Sequence, residues 1–367
     1  MRKHSTAAAL LMTMPGWTLA LPLGGCGSDT PAAAGFESKL QMQLGSPDGV
    51  PVVRSLDSSH DIELFALGDE YLFFSSNWNG VFRVPKFGGA VEAVEEDHAA
   101  ITGALAANAR DVFWERVRFD GNGFPLRKLL RRSTDLGPAS TLRNDDFDAL
   151  LPEQRLMEVD DAHLVIRHLQ DGVPEAISLA DGTTVRIPAE PIDVTDIFPR
   201  AGSFVLDGNT LFAAACSGDT CALARGDVTT GAAAIGPSLS GLSIGLDDPV
   251  LAAADDAYLY LIDWYHVWRL RKSDWASEEV YRAPSGAYVG RPFVVDDRAV
   301  YFVTTAKGGE QLELVAVAKT GGTLRVLSTR PHLAQGICQV AQDAQYLFVL
   351  APTDDGLSMQ ILVVAKD

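Results

Sequence analysis

Apolar and polar positions along this 367-residue chain repeat on two scales. Runs of about five β-branched and aromatic residues alternate with turns of Gly, Asn and Asp, which is strand and turn chemistry, not helix chemistry. At longer range one phrase, a polar turn and then an apolar burst, returns seven times. Its copies are Gly68-Asp69-Glu70-Tyr71-Leu72-Phe73, Ala109-Arg110-Asp111-Val112-Phe113, Asp161-Ala162-His163-Leu164-Val165, Gly208-Asn209-Thr210-Leu211-Phe212, Asp256-Ala257-Tyr258-Leu259-Tyr260, Asp297-Arg298-Ala299-Val300-Tyr301 and Ala344-Gln345-Tyr346-Leu347-Phe348. The anchors Leu72, Val112, Leu164, Leu211, Leu259, Val300 and Leu347 recur roughly every 40 to 52 residues, the length of a four-stranded propeller blade. One such unit cannot bury its own apolar face and must stack on its neighbours. The expected fold is therefore all-β: a β-propeller of four-stranded blades, seven in number, with six or eight as the alternatives.

Aligning whole units assigns the strands. With one residue deleted, Trp78 of the first unit meets Trp264 of the fifth, and Arg83 meets Arg269. The anchors then lie on second strands, and segments ending at Lys86 or Lys272 are third strands. Fourth strands follow the turns Phe87-Gly88-Gly89 and Thr320-Gly321-Gly322, at residues 90–94 and 323–327. Innermost strands precede the polar turns, as at 63–67, 204–206, 292–295 and 337–341. The seventh unit lacks a fourth strand, and residues 51–56 lack an innermost partner. The latter are expected to complete the last blade and close the ring, which removes exposed edges. The repeated Asp69, Asp161, Asp256 and Asp297 are read as turn formers whose side chains bond the backbone.

The first 25 residues are set apart from this pattern. Arg2 and Lys3 precede an acid-free apolar stretch from Thr6 to Leu23, the layout of an export signal. Leu23-Gly24-Gly25-Cys26 resembles the lipobox of bacterial lipoproteins, which implies lipidation of Cys26 and a membrane anchor. Ordinary secretion with cleavage after Ala20 is the alternative. If the bacterial sorting rule applies, Gly27 favours the outer membrane, with the body periplasmic or surface-exposed. The domain plan is thus a signal peptide at 1–25, a lipidated Cys and flexible tether at 26–50, and a propeller at 51–367.

Charge narrows the partners. The whole chain carries −18, and loss of Arg2 and Lys3 with the leader leaves −20, a field that repels nucleic acid and other polyanions. No later apolar run is long enough to span a bilayer, so a monomeric, exported body is expected. Cys216-Ser217-Gly218-Asp219-Thr220-Cys221 places two thiols around a four-residue turn, and a disulfide between Cys216 and Cys221 is expected in an oxidising compartment. Cys338 is left over and is read as a buried free thiol.

The motifs Val295-Asp296-Asp297 with Val300-Tyr301-Phe302, Arg83-Val84-Pro85-Lys86-Phe87-Gly88-Gly89, and Ala318-Lys319-Thr320-Gly321-Gly322 carry a family resemblance. The chain from about residue 50 to 367 resembles exported β-propeller lipoproteins of bacteria. That resemblance implies a fold and an export route. The group has no agreed activity to transfer.

Candidate chemistry is confined to the face that carries the loops between second and third strands and the joints between blades. Asn77, Trp78, Asp120, Asp146, Asp148, Asp248, Asp263, Trp264, His266, Arg291 and Asp354 are placed there. Trp78 and Trp264 offer rings to a sugar or a peptide, or else cap contacts between blades. Asp120 with Asn122, or Asp145, Asp146 and Asp148, offer oxygens of the kind Ca²⁺ takes, though the same residues serve ordinary turns, and no other cofactor is expected. Gly241-Leu242-Ser243-Ile244-Gly245 matches a nucleophile-elbow pattern without the strand and helix that it needs. Two functions stay open: a non-catalytic binding or scaffolding propeller holding a protein, peptide or glycan, and an envelope glycan hydrolase or lyase with acids converging on the channel mouth.

Overall fold

The computed structural model describes residues 36–38, 50–56, 61–76, 78–121, 125–146, 157–167, 173–187, 204–217, 220–238, 250–305, 312–328, 339–353 and 356–367. Their strands form seven antiparallel sheets, six of four strands and one of five, arranged as a β-propeller. In chain order the innermost strands are β3 (Ile62–Leu67), β7 (Ala100–Ala107), β11 (Met157–Val159), β15 (Phe204–Asp207), β19 (Val250–Ala254), β23 (Val289–Val295) and β27 (Gln339–Gln342). Each touches the next, and β27 touches β3, so the ring is closed.

The repeated anchors account for the stacking. Leu72, Val112, Leu164, Leu211, Leu259, Val300 and Leu347 all lie on second strands and are buried. Alternation along each strand sends side chains to both flanking blades, and the buried apolar residues gather into seven clusters, one per blade interface. Fourth strands begin two residues later than expected, at β6 (Glu92–Glu96) and β26 (Arg325–Ser328). The preceding Gly88-Gly89 and Gly321-Gly322 all take positive φ and lengthen the turn.

Closure occurs as expected. β2 (Val50–Ser55) pairs with β29 (Met359–Ala365) as the fourth strand of the last blade. Beyond it, β1 (Phe36–Ser38) adds a fifth strand, inside the stretch read from sequence as tether. Phe36 is buried there, with its ring centroid 5.0 Å from Phe74 and 5.1 Å from Phe82 in the first blade. At the inner rim the Gln339 side chain accepts the Phe65 N–H (2.9 Å) and donates to the Phe65 carbonyl (2.6 Å), bridging the same two blades.

The polar turns do their work one residue earlier than the sequence reading placed it. Oxygens of Asn108, Asp160, Asp255, Asp296 and Asp343 accept the backbone N–H groups two and three residues on. The exposed Asp161, Asp256 and Asp297 follow them at the crest, and Asp69 follows Gly68. An Asx turn is made by the residue that opens it, because its side chain is then within reach of those two donors.

The other oxygen of these acids often crosses to the next blade. Lys319 Nζ lies 2.5 Å from Asp255 Oδ2, Lys366 Nζ 2.8 Å from Asp296 Oδ2 and Lys86 Nζ 3.5 Å from Asp343 Oδ2, and Lys272 bonds Asp207 in the same sense. A second repeated link runs beside it. Arg131 donates to the Leu179 carbonyl (3.1 Å) and Arg269 to the Lys319 carbonyl (2.9 Å), while Arg83 and Arg325 donate likewise to Thr134 and Lys366.

Candidate functional site

The equivalence of Trp78 and Trp264 holds in three dimensions. Trp78 sits in the turn between β4 (Tyr71–Ser76) and β5 (Gly80–Pro85), and Trp264 in the turn between β20 (Tyr258–Ile262) and β21 (His266–Arg271). Both are exposed, at 46% and 54%, and each meets one ring from beyond its own hairpin, Phe119 and Tyr288 respectively. Arg83 and Arg269 also match: each guanidinium stacks on a tyrosine, Tyr71 at 4.2 Å and Tyr258 at 4.6 Å, and each pairs with a fourth-strand glutamate.

The blade-five turn is built by Asp263. Its buried carboxylate accepts the Tyr265 N–H (2.7 Å) and the His266 N–H (2.6 Å), and His266 Nδ1 lies 3.0 Å from both of its oxygens. Because a carboxylate here only accepts, the shared proton is assigned to Nδ1. Trp264 and Tyr265 are thereby pushed outward at the tip.

A second loop brings a third ring to them. The connection from β22 (Ser277–Arg282) to β23 is tied to the turn by Ala283 N–H to Tyr265 O (2.7 Å) and Val289 N–H to Trp264 O (2.8 Å). Tyr288 on that connection is held in turn by Thr305, whose Oγ1 accepts its N–H (2.7 Å) and whose N–H donates to its carbonyl (3.0 Å). Tyr288 lies with its centroid 6.4 Å from Trp264, nearly perpendicular at 84°, and 5.6 Å from Tyr265, tilted by 37°. Tyr265 and Tyr288 are 41% and 43% exposed. The result is a preorganised cradle of three rings at the joint of blades five and six.

Its rim is polar. His266 stands beside Tyr265 (6.4 Å) and Trp268 (5.7 Å), and Arg282 Nη2 pairs with Glu279 Oε2 at 2.7 Å. That hydrogen bond to Arg282 is the main reason the Glu279 carboxyl is held below its usual range, with smaller help from the charges of Arg282 and His266 against a modest burial penalty.

The first-blade station is simpler. Trp78 takes a left-handed φ of 58° and meets Phe119, itself exposed, at 6.4 Å. Gly80 next to it has φ 113°, and a Cβ there would fall 2.0 Å from the Glu95 carbonyl oxygen.

Other sequence candidates scatter. Asp120 is half-buried just past β8 (Asp111–Phe119). Asp145 and Asp146 extend β10 (Ser140–Asp146), in register with Arg127 and Leu126, where the sequence reading placed a loop. Arg291 lies in β23 at a register step between Gly290 and Phe293, a bulge on the innermost strand and not a blade joint. Cys216 is directly opposite Cys221, and Ser217 opposite Thr220, in the β16 (Thr210–Ser217) and β17 (Thr220–Asp227) pair, so strand pairing runs on into the stretch expected as a four-residue turn. Cys26, Asn77, Asn122, Asp148, Asp248, Cys338, Asp354 and residues 241–245 lie outside the described residues. No group of three His, Cys, Asp or Glu side chains fit to hold a metal occurs among the described residues.

Sequence reasoning found Trp264, Asp263 and His266 but missed Tyr265, Tyr288 and Phe119 as companions. Tyr288 follows the turn residues Pro284-Ser285-Gly286, which mark a loop; nothing in one chain says which loop it meets.

No family model and no curated protein matches the chain. Among solved structures it is similar to a chain of the mitotic checkpoint complex (TM-score 0.57, 11% identity, covering 89% of this chain and 98% of that one). It is equally similar to the β-propeller domain of the Trilobed protease from Pyrococcus furiosus (TM-score 0.57, 9% identity, 84% and 96% covered). That domain is described as having an open velcro topology, whereas β2 fastens this ring. At such identities the likeness speaks for the fold: this chain is a seven-bladed β-propeller.

Proposed function

We propose that this protein is a non-catalytic binding propeller of the bacterial cell envelope, anchored through Cys26 to the outer membrane, that holds a protein, peptide or glycan on its loop-rich face. The observation that carries the reading is the exposed cradle of Trp264, Tyr265 and Tyr288, fixed by main-chain bonds between two loops. Rings held in place before binding lose little entropy when a ligand arrives. The lipobox resemblance at Leu23-Gly24-Gly25-Cys26 supports the anchor. Palmitate labelling that is lost in Cys26→Ser tests it.

Binding itself is tested by affinity capture from envelope extract on immobilised protein, scored for both protein and carbohydrate. Trp264→Ala should release most of the bound material. Equal retention by wild type and by Trp264→Ala combined with Trp78→Ala overturns the reading.

A catalytic alternative rests on carboxyls near the channel. Burial raises Asp61, and burial with the nearby charge of Asp61 raises Glu63. Glu158, on innermost strand β11, is reached by solvent, yet the protein packed around it pushes its carboxyl up to about 7, a value suited to a general acid. Glycan cleavage that disappears in Glu158→Gln would favour this alternative.

A further inference from the structure

We infer that the cradle at the joint of blades five and six is a subsite for a soluble, neutral, β-linked oligosaccharide of gluco configuration. This rests on the binding reading above and names its ligand class.

Three features select that class. All-equatorial hydroxyls leave both faces of such a sugar ring lined by C–H groups, the surface that an exposed indole or phenol face covers. The charged groups of the rim are already paired among themselves, Asp263 with His266 and Glu279 with Arg282. A charged ligand would have to compete with those partners, whereas hydroxyls can add to them as donors and acceptors. With Nδ1 committed to Asp263, Nε2 is the His266 ring nitrogen left to meet a sugar hydroxyl at the edge of the aromatic surface.

Ring orientation narrows the ligand further. Trp264 and Tyr288 stand at 84° to each other, and Tyr265 is tilted 37° from Tyr288. A flat crystalline polysaccharide needs coplanar rings, but these form a corner that takes the end or the bend of a free chain. A protein partner would need roughly 800 Å² per side around an apolar centre, and two short loops offer a few rings only.

The test titrates the full propeller with cellohexaose and chitohexaose, followed by calorimetry and tryptophan fluorescence. Binding of at least one hexasaccharide is expected, weakened about tenfold by Trp264→Ala, the loss of one aromatic contact of about 1.4 kcal/mol. Trp264→Phe should keep most of the affinity, and Tyr288→Ala should also weaken binding. Trp264 is exposed, so these variants fold. No binding of either sugar at millimolar concentration, or binding indifferent to both Trp264→Ala and Tyr288→Ala, overturns the inference. Tighter binding of choline or a lysine-rich peptide than of either sugar overturns it too. If Trp264-dependent capture of protein persists while the sugars fail, the glycan assignment falls and the binding propeller stands; if capture is also lost, both fall.

Discussion

Lys366, at the end of the last strand, reaches across to the preceding blade and places Nζ 2.8 Å from Asp296 Oδ2. The same carboxylate accepts the Tyr301 hydroxyl (2.8 Å) and, through its other oxygen, the Arg298 and Ala299 N–H groups. Burial alone would raise Asp296, but Lys366 and these donors together bring it down to about 2.

The sign of the pH effect follows. A carboxyl with a lower pKa folded than unfolded stabilises the fold above its unfolded value near 3.9, and that contribution fades as pH falls toward 2. With solvent screening at this partly exposed site allowed for, Asp296→Asn should therefore cost about 1 kcal/mol at neutral pH and almost nothing near pH 2. Thermal melts of both proteins across that range check it; a gap that does not close in acid refutes the assignment.

Phe36 should matter more than a residue so near the N-terminus would suggest. Its ring fills the seam between the last and first blades, so Phe36→Ala should destabilise by about 3 to 5 kcal/mol. Urea unfolding at constant m-value measures this. A loss below about 1 kcal/mol would mean that β1 is not part of the folded body.

Gly80 tolerates no side chain. Its φ of 113° and the 2.0 Å approach of a Cβ to the Glu95 carbonyl combine conformational strain with a backbone clash. Gly80→Ala should cost upward of about 2 kcal/mol, whereas Gly121→Ala, which meets nothing within 4 Å, should be nearly silent. Paired denaturation curves decide between them.

Cys216 and Cys221 occupy directly opposed strand positions, which typically puts their Cα atoms about 4.5 to 5.5 Å apart, inside the span of a disulfide. Protein purified without reductant should show no thiol at either position after unfolding, and reduction should lower stability by about 2 kcal/mol. Two alkylatable thiols in the untreated protein would rule the bond out.

The fold was legible because each blade repeats the same local logic. A polar turn, the anchor and a third strand recur often enough for alignment to locate even Trp78 and Trp264. Contacts between units were not legible in the same way. Lys86, Lys272, Lys319 and Lys366 share one repeat position, and Asp207, Asp255, Asp296 and Asp343 share another, yet within a single unit nothing shows that the lysine serves the neighbour's acid. Phe36 was missed because a three-residue strand has too little alternation to register. The cradle was half legible: Trp264 belongs to a repeated turn, but Tyr288 joins it through two main-chain bonds that leave no trace in composition.

The lysine links fall on one side of the ring. They fasten the four interfaces from blade four round to blade one, whereas the matching positions in blades two, three and four hold Thr134, Leu179 and Val228. Among blades one to three the interfaces are held instead by Arg83 and Arg131 to the carbonyls of Thr134 and Leu179 and by the ion pairs Arg116–Glu95 and Arg143–Glu175. The sugar cradle, at the joint of blades five and six, lies at the same interface as the Lys319–Asp255 link, so Lys319→Met should loosen the joint that holds the ligand.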